Sequence, residues 1–113
     1  MKIIYSTKFL DSISIFMNIG GITLYPFIIL KDTYNNTLKR SKKILNHEKI
    51  HIEQQKELLI VFFYLWYIIE WFIRLFMKGN AYRNISFEKE SYTNEGNLEY
   101  LVNRKRYSFL KYL

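Results

Sequence analysis

The stretch Asn46-His47-Glu48-Lys49-Ile50-His51 carries both histidines of the chain. They are four positions apart. On an α-helix that spacing stacks the two rings one turn apart on a single face, where they can share one metal ion, with Glu48 beside them. The surroundings agree with a helix, because neither glycine nor proline occurs from Leu38 to Lys78. Helix is therefore the expected state for that whole run. Thr37 or Ser41 is the expected cap at its start.

The second half of the run differs in kind. Leu58 to Ile69 is twelve consecutive apolar residues, and Leu58 to Met77 spans 20 positions interrupted only by Glu70 and Arg74. Twenty helical residues rise about 30 Å, which matches the hydrocarbon core of a bilayer. Eight of those 20 residues are Phe, Tyr or Trp, the types that collect at membrane interfaces. Glu70 and Arg74, four apart, are placed to pair on one helical face. A chain of 113 residues has little left to cover a helix that is apolar all round. The expectation is a membrane-associated segment over 58–77, with lipid as a partner. The basic cluster Lys39–Lys43 places the N-terminal side of that segment toward the cytoplasm.

Upstream, Gly20-Gly21 marks a break, and Ile22 to Leu30 is β-branched and aromatic enough to read as a strand. Pro26 cannot donate to a ladder, so an edge strand or a hairpin bent at Pro26 is expected. Residues 1–19 mix apolar and polar positions, with Phe9, Ile13, Phe16 and Met17 able to form one helical face. They lack the continuous apolar core of a signal peptide. Downstream, Gly79 stops the long helix, and Ser86 is the expected N-cap of a helix carrying Glu88, Glu90, Tyr92 and Glu95. The fold class is thus mainly α in one domain, 1–113. A long site-bearing helix runs on into an apolar membrane helix, and a second helix and one short edge strand or hairpin complete it.

Composition narrows the function. Half the residues are hydrophobic and 19% are aromatic, which excludes a disordered chain. Cysteine is absent, so neither a disulfide frame nor a thiolate site is available, and a metal must be held by His and carboxylate. The net charge of +7 favours an anionic surface. No nucleic-acid-binding motif accompanies it, and the basic residues are spread along the chain, so nucleic acid is not expected as a partner.

A catalytic zinc site takes three protein ligands and leaves a fourth position for water. His47 and His51 are two, and Glu48 can take a proton from that water as general base. Since no histidine remains, the third ligand must be a carboxylate, and Phe87-Glu88-Lys89-Glu90-Ser91-Tyr92 is the best source. Here the pattern resembles the gluzincin metallopeptidases, most of all the membrane-embedded prenyl-protein-protease and heat-shock-protease group. The chain also looks like a group of small bacterial proteins built on the same plan. In the peptidases the third ligand is the first glutamate of Glu-x-x-Ala-Asp on a downstream helix. That resemblance implies Glu88 as ligand, with Ser91 at the alanine position. Tyr92 stands where the aspartate would be, a departure from the pattern. Glu90 and Glu95 are the alternatives to Glu88.

Two imidazoles and one carboxylate suit Zn²⁺, and also Fe(II), with the motif's spacing favouring zinc. The function expected is zinc-dependent hydrolysis of a peptide or protein substrate at a bacterial inner membrane, the site facing the cytoplasm. The alternative is a non-catalytic small membrane protein with a structural or vestigial metal site, acting as an interaction partner. In zincin-type peptidases an edge strand beside the site helix pairs with an extended substrate, and the resemblance implies that role for Ile22 to Leu30.

Overall fold

The structure, a computed structural model, describes the backbone of residues 1–13 and 20–113. Strand β1 (Lys2–Tyr5) is followed by helix α1 (Thr7–Ile13), then β2 (Gly21–Leu24) and β3 (Phe27–Leu30). The strand expected over 22–30 is therefore a hairpin, with Tyr25 and Pro26 at its turn. The sheet order is β1-β3-β2, with β1 parallel and β2 antiparallel to β3. β3 is central, and β2 is an edge. β1 was not anticipated, because its partner lies some 25 positions away (Lys2 opposite Phe27), and a parallel pair leaves no local turn signal. Of the helical face expected from Phe9 to Met17, Phe16 and Met17 lie outside the described residues.

Helix α2 (Lys39–Glu57) carries the histidine motif, and α3 (Val61–Arg74), α4 (Ser86–Asn94) and the short α5 (Tyr100–Asn103) follow. Neither Thr37 nor Ser41 caps α2. Leu38 is the residue at the cap position and makes no side-chain cap bond; just before it Asn36 Oδ1 accepts from the Leu38 amide at 2.9 Å and from Ser41 Oγ at 2.6 Å.

The apolar run does not continue α2. Leu59 and Ile60 turn into the left-handed region, with φ of 54° and 65°, and the chain reverses onto itself. Folding back buries one stripe of α3 that a continuous helix would have left bare. Phe63 packs with Ile85, Phe87 and Phe109, flanked by Trp66 and Tyr67. The second core lies between the sheet and α2, where Ile28 and Leu30 meet Ile52. The metal motif sits between the two.

This overturns the membrane-spanning reading of 58–77. α3 has 14 residues and rises about 21 Å, short of a bilayer core of about 30 Å. No helix among the described residues is long and apolar enough to cross a membrane. The membrane helix, and with it the placement in an inner membrane with the site facing the cytoplasm, is set aside. The two charges that interrupt the run are not paired with each other either. Glu70 accepts the Ser86 amide at 3.1 Å and Trp66 Nε1 at 2.8 Å, and the Ser86 hydroxyl as well. Arg74 reaches Met77 Sδ at 3.7 Å. Ser86 is thus the first residue of α4, not its side-chain cap. The carboxylate of Glu70 supplies the cap from another helix, where the amide dipole favours negative charge.

Candidate metal centre

α4 crosses α2 with its position secured at both ends. Glu70 holds its N-terminus, and Asn46 Nδ2 donates to the carbonyls of Asn94, Glu95 and Asn97 at its C-terminus. Between them Ser91 Oγ donates to the His47 carbonyl at 3.1 Å, and its small side chain lets the helices approach closely. Fixing α4 in this way brings Glu88 over the two histidines.

The three atoms that meet there are His47 Nε2, His51 Nε2 and Glu88 Oε1. Each imidazole nitrogen lies 3.1 Å from the carboxylate oxygen, and the two nitrogens are 3.2 Å apart. All three residues are buried. Tetrahedral ligands at about 2.0–2.1 Å from a metal stand about 3.3 Å from one another, so this near-equilateral triangle can hold a metal ion on its open side.

The other ring nitrogens show which way the protons face. His47 Nδ1 lies 2.8 Å from Glu95 Oε2, and His51 Nδ1 lies 2.7 Å from Gln54 Oε1. The amide of Gln54 is oriented by its other end, because Nε2 donates to the Phe87 carbonyl at 3.1 Å and to Glu90 Oε1 at 2.9 Å. Its oxygen must therefore face His51 and accept. Nδ1 is therefore a donor in both histidines, and both Nε2 atoms face Glu88. Three electron-pair donors converging in a buried place require a cation, either protons or a metal. Such outer hydrogen bonds are the usual support of metal-binding imidazoles.

Electrostatics say the same. Burial would lower the His47 imidazolium, but Glu88 and Glu95 outweigh it and push that ring up to about 10. His51 is raised against burial by Glu88. Burial pushes Glu88 up, yet the two imidazoles hold it well below the usual carboxylate range. Its second oxygen accepts from Tyr67 at 2.9 Å, and burial next to that carboxylate keeps the Tyr67 phenol firmly protonated.

Glu48 is buried next to this triangle. Thr23 Oγ1 of β2 donates to its Oε2 at 2.6 Å. Burial raises the Glu48 carboxyl, offset in part by His51, His47 and Thr23, a condition suited to a group that exchanges protons. Gly21 is what lets β2 come so close, since a Cβ there would stand 2.6 Å from Leu30 Cδ2 and 3.3 Å from Glu48 Oε1.

The structure thus brings His47, His51 and Glu88 together with Glu48 alongside. Glu90 is directed away from the centre and binds Arg104 Nε at 2.5 Å and Tyr100 Oη at 2.6 Å. Glu95, weighed as a ligand, instead bonds the far nitrogen of His47. At position 92, where the resemblance has an aspartate, the tyrosine ring lies against His47 with centroids 4.5 Å apart. Gln54 was missed, although its place three residues after His51 puts it on the same helical face. Thr23 and Tyr67 were missed for want of any local signal.

Comparison with protein-family models, curated proteins and solved structures finds no match to this chain in any of the three.

Proposed function

We propose that the chain is a zinc-dependent peptidase. One observation carries this reading: two imidazole lone pairs and one carboxylate oxygen meet 3.1–3.2 Å apart, with Glu48 buried beside them. Zinc suits a ligand set of two imidazoles and a carboxylate with an open side, and when bound it lowers the pKa of a water to about 7. His47, His51 and Glu88 would hold the ion. Glu48, in the place that follows the first histidine of the motif, takes the proton of the attacking water and passes it to the leaving amine. Thr23 fixes that carboxylate, and Tyr67 keeps Glu88 from binding through both oxygens. The resemblance to gluzincin peptidases supports the same roles for His47, His51, Glu88 and Glu48.

The test is zinc content measured beside hydrolysis of a quenched peptide mixture. The unsubstituted protein is expected to hold one zinc per chain and to cleave. Glu48→Gln keeps the zinc and loses cleavage, while His47→Ala and Glu88→Ala lose both. A chain that binds no zinc, or a Glu48→Gln protein that still cleaves, overturns the proposal. Zinc bound with no cleavage by the unsubstituted protein leaves a metal-binding protein without peptidase activity.

A further inference from the structure

The centre opens into two cavities of opposite character. One, of about 170 Å³, is walled by Ile22, Phe63, Tyr64 and Tyr67 and floored by His51 and Glu88. The other, of about 420 Å³, lies on the His47 side and takes Arg40, Lys43 and Arg83 into its wall. Gly21, Glu48 and Tyr82 line both. The two cavities therefore adjoin at the carboxylate assigned to the chemistry, and we treat them as the two halves of one binding cleft.

The basic half carries more positive charge than its own residues neutralise. Its carboxylates are Glu48 and Glu95. Glu48 is bonded by Thr23, and Glu95 is shared between His47 at 2.8 Å and Lys43 at 3.5 Å. Arg40 and Arg83 have no carboxylate partner within ion-pair distance among the described residues. Arg83 lies instead over the Tyr92 ring, 4.2 Å from its centroid, which holds the guanidinium at the cavity wall. A planar guanidinium presented that way favours a carboxylate.

We infer that the cleft takes a peptide with an apolar side chain on one side of the scissile bond and a carboxylate on the other, the latter met by Arg40 and Arg83. The inference rests on the proposed peptidase reading for the word scissile, but the two-sided recognition belongs to the cleft itself. β2 is the sheet edge beside Glu48, and its Gly21 faces both halves. An extended chain places neighbouring side chains in opposite directions, which suits a site with one apolar and one basic half. The carboxylate has two possible sources, an acidic side chain or the free C-terminus of the peptide.

Binding to zinc-loaded Glu48→Gln protein tests this without requiring cleavage. Labelled peptides with a fixed phenylalanine carry Glu, Gln or Lys at the neighbouring positions on either side, each with an amidated C-terminus. A second series has neutral side chains and either a free or an amidated C-terminus. A carboxylate in one series is expected to bind about tenfold tighter than its neutral counterpart, the gain of one charge-assisted contact, and which series shows it identifies the source. Arg40→Gln and Arg83→Gln, made separately on exposed residues, reduce that preference to about twofold or less while zinc content stays unchanged; Arg40→Glu removes it. Replacing the phenylalanine by serine weakens every peptide. Equal binding of acidic, neutral and basic peptides, a preference that survives both arginine substitutions, or no binding at millimolar concentration overturns the inference. Acidic preference in Glu48→Gln protein together with no cleavage by the unsubstituted chain keeps it and sinks the peptidase reading.

Discussion

Glu95 Oε2 lies 2.8 Å from His47 Nδ1, although His47 is in α2 and Glu95 follows the last residue of α4. The contact fixes the His47 proton on the nitrogen that faces away from Glu88. It thereby turns Nε2 toward Glu88 and His51, the position of a metal ligand. Glu95→Ala is expected to lower zinc affinity about 10–100-fold, the usual cost of losing such a partner, with an unchanged circular dichroism spectrum. Competition against a chromophoric chelator measures it. Affinity equal to that of the unsubstituted protein would show that Glu95 does not orient the ligand.

Thr23 tests the link between the sheet and the chemistry. Thr23→Val removes the hydroxyl that lies 2.6 Å from Glu48 Oε2 and keeps the β-branched shape. Loss of one hydrogen bond to a charged group costs about 1.5–3 kcal/mol, so cleavage should fall at least about tenfold. Zinc content should not change. A variant that cleaves at the original rate would remove Thr23 from the site.

Glu70 and Arg74 make opposite predictions that separate the helical pairing rule from the observed fold. Glu70→Gln loses the charge that accepts from Ser86 and should destabilise by about 1–2 kcal/mol, in the range of a lost cap. Arg74→Gln should change stability by no more than about 0.5 kcal/mol, as for an ordinary surface substitution. Urea unfolding distinguishes the two. Equal losses would mean that the pair within α3 forms after all.

Arg104 joins the C-terminal segment to the rest. Its Nη1 and Nη2 bind the Glu57 carboxylate at 2.9 and 3.0 Å, and its Nε binds Glu90 at 2.5 Å. With both carboxylates buried or nearly so, Arg104→Met leaves two charges without a counterion. The expected cost is about 3–5 kcal/mol, read from the urea midpoint at constant slope. A loss below about 1 kcal/mol would show that water reaches these carboxylates.

Leu59 provides a test of the break between α2 and α3. Its φ of 54° lies where a side chain costs about 1–2 kcal/mol relative to glycine, and the residue is 72% exposed. Leu59→Gly should leave stability unchanged or raise it by up to about 1 kcal/mol, the strain relieved exceeding the entropy gained by the unfolded chain. A substantial loss in the same urea titration would mean that the leucine side chain itself holds the reversal.

What could be read from the sequence was local. His47, Glu48 and His51 form a pattern whose geometry follows from the helix alone, since positions four apart share a face whatever the helix packs against. The hairpin near Pro26 was legible for a similar reason, because proline removes a donor and permits only an edge or a turn. Glu88 was reachable through the resemblance of its surroundings, and the structure places it against both histidines.

The tertiary structure decided the rest. No glycine or proline announces the reversal at Leu59 and Ile60; it follows from the need of an apolar helix to cover one face, and the Phe87 and Phe109 side chains do that. Glu70 finds Ser86 across sixteen positions instead of Arg74 at four, because a buried amide at a helix start has no partner within its helix, whereas water can satisfy the donors of an arginine at the surface. Glu90 differs from Glu88 in which side of α4 it occupies, and Glu95 lies just past the end of that helix; both placements are set by Asn46, Ser91 and Glu70 holding the helix across α2. The motif Asn46 to His51 thus determined by itself that two imidazoles face one way. Where a third donor would meet them was a matter of how three helices pack.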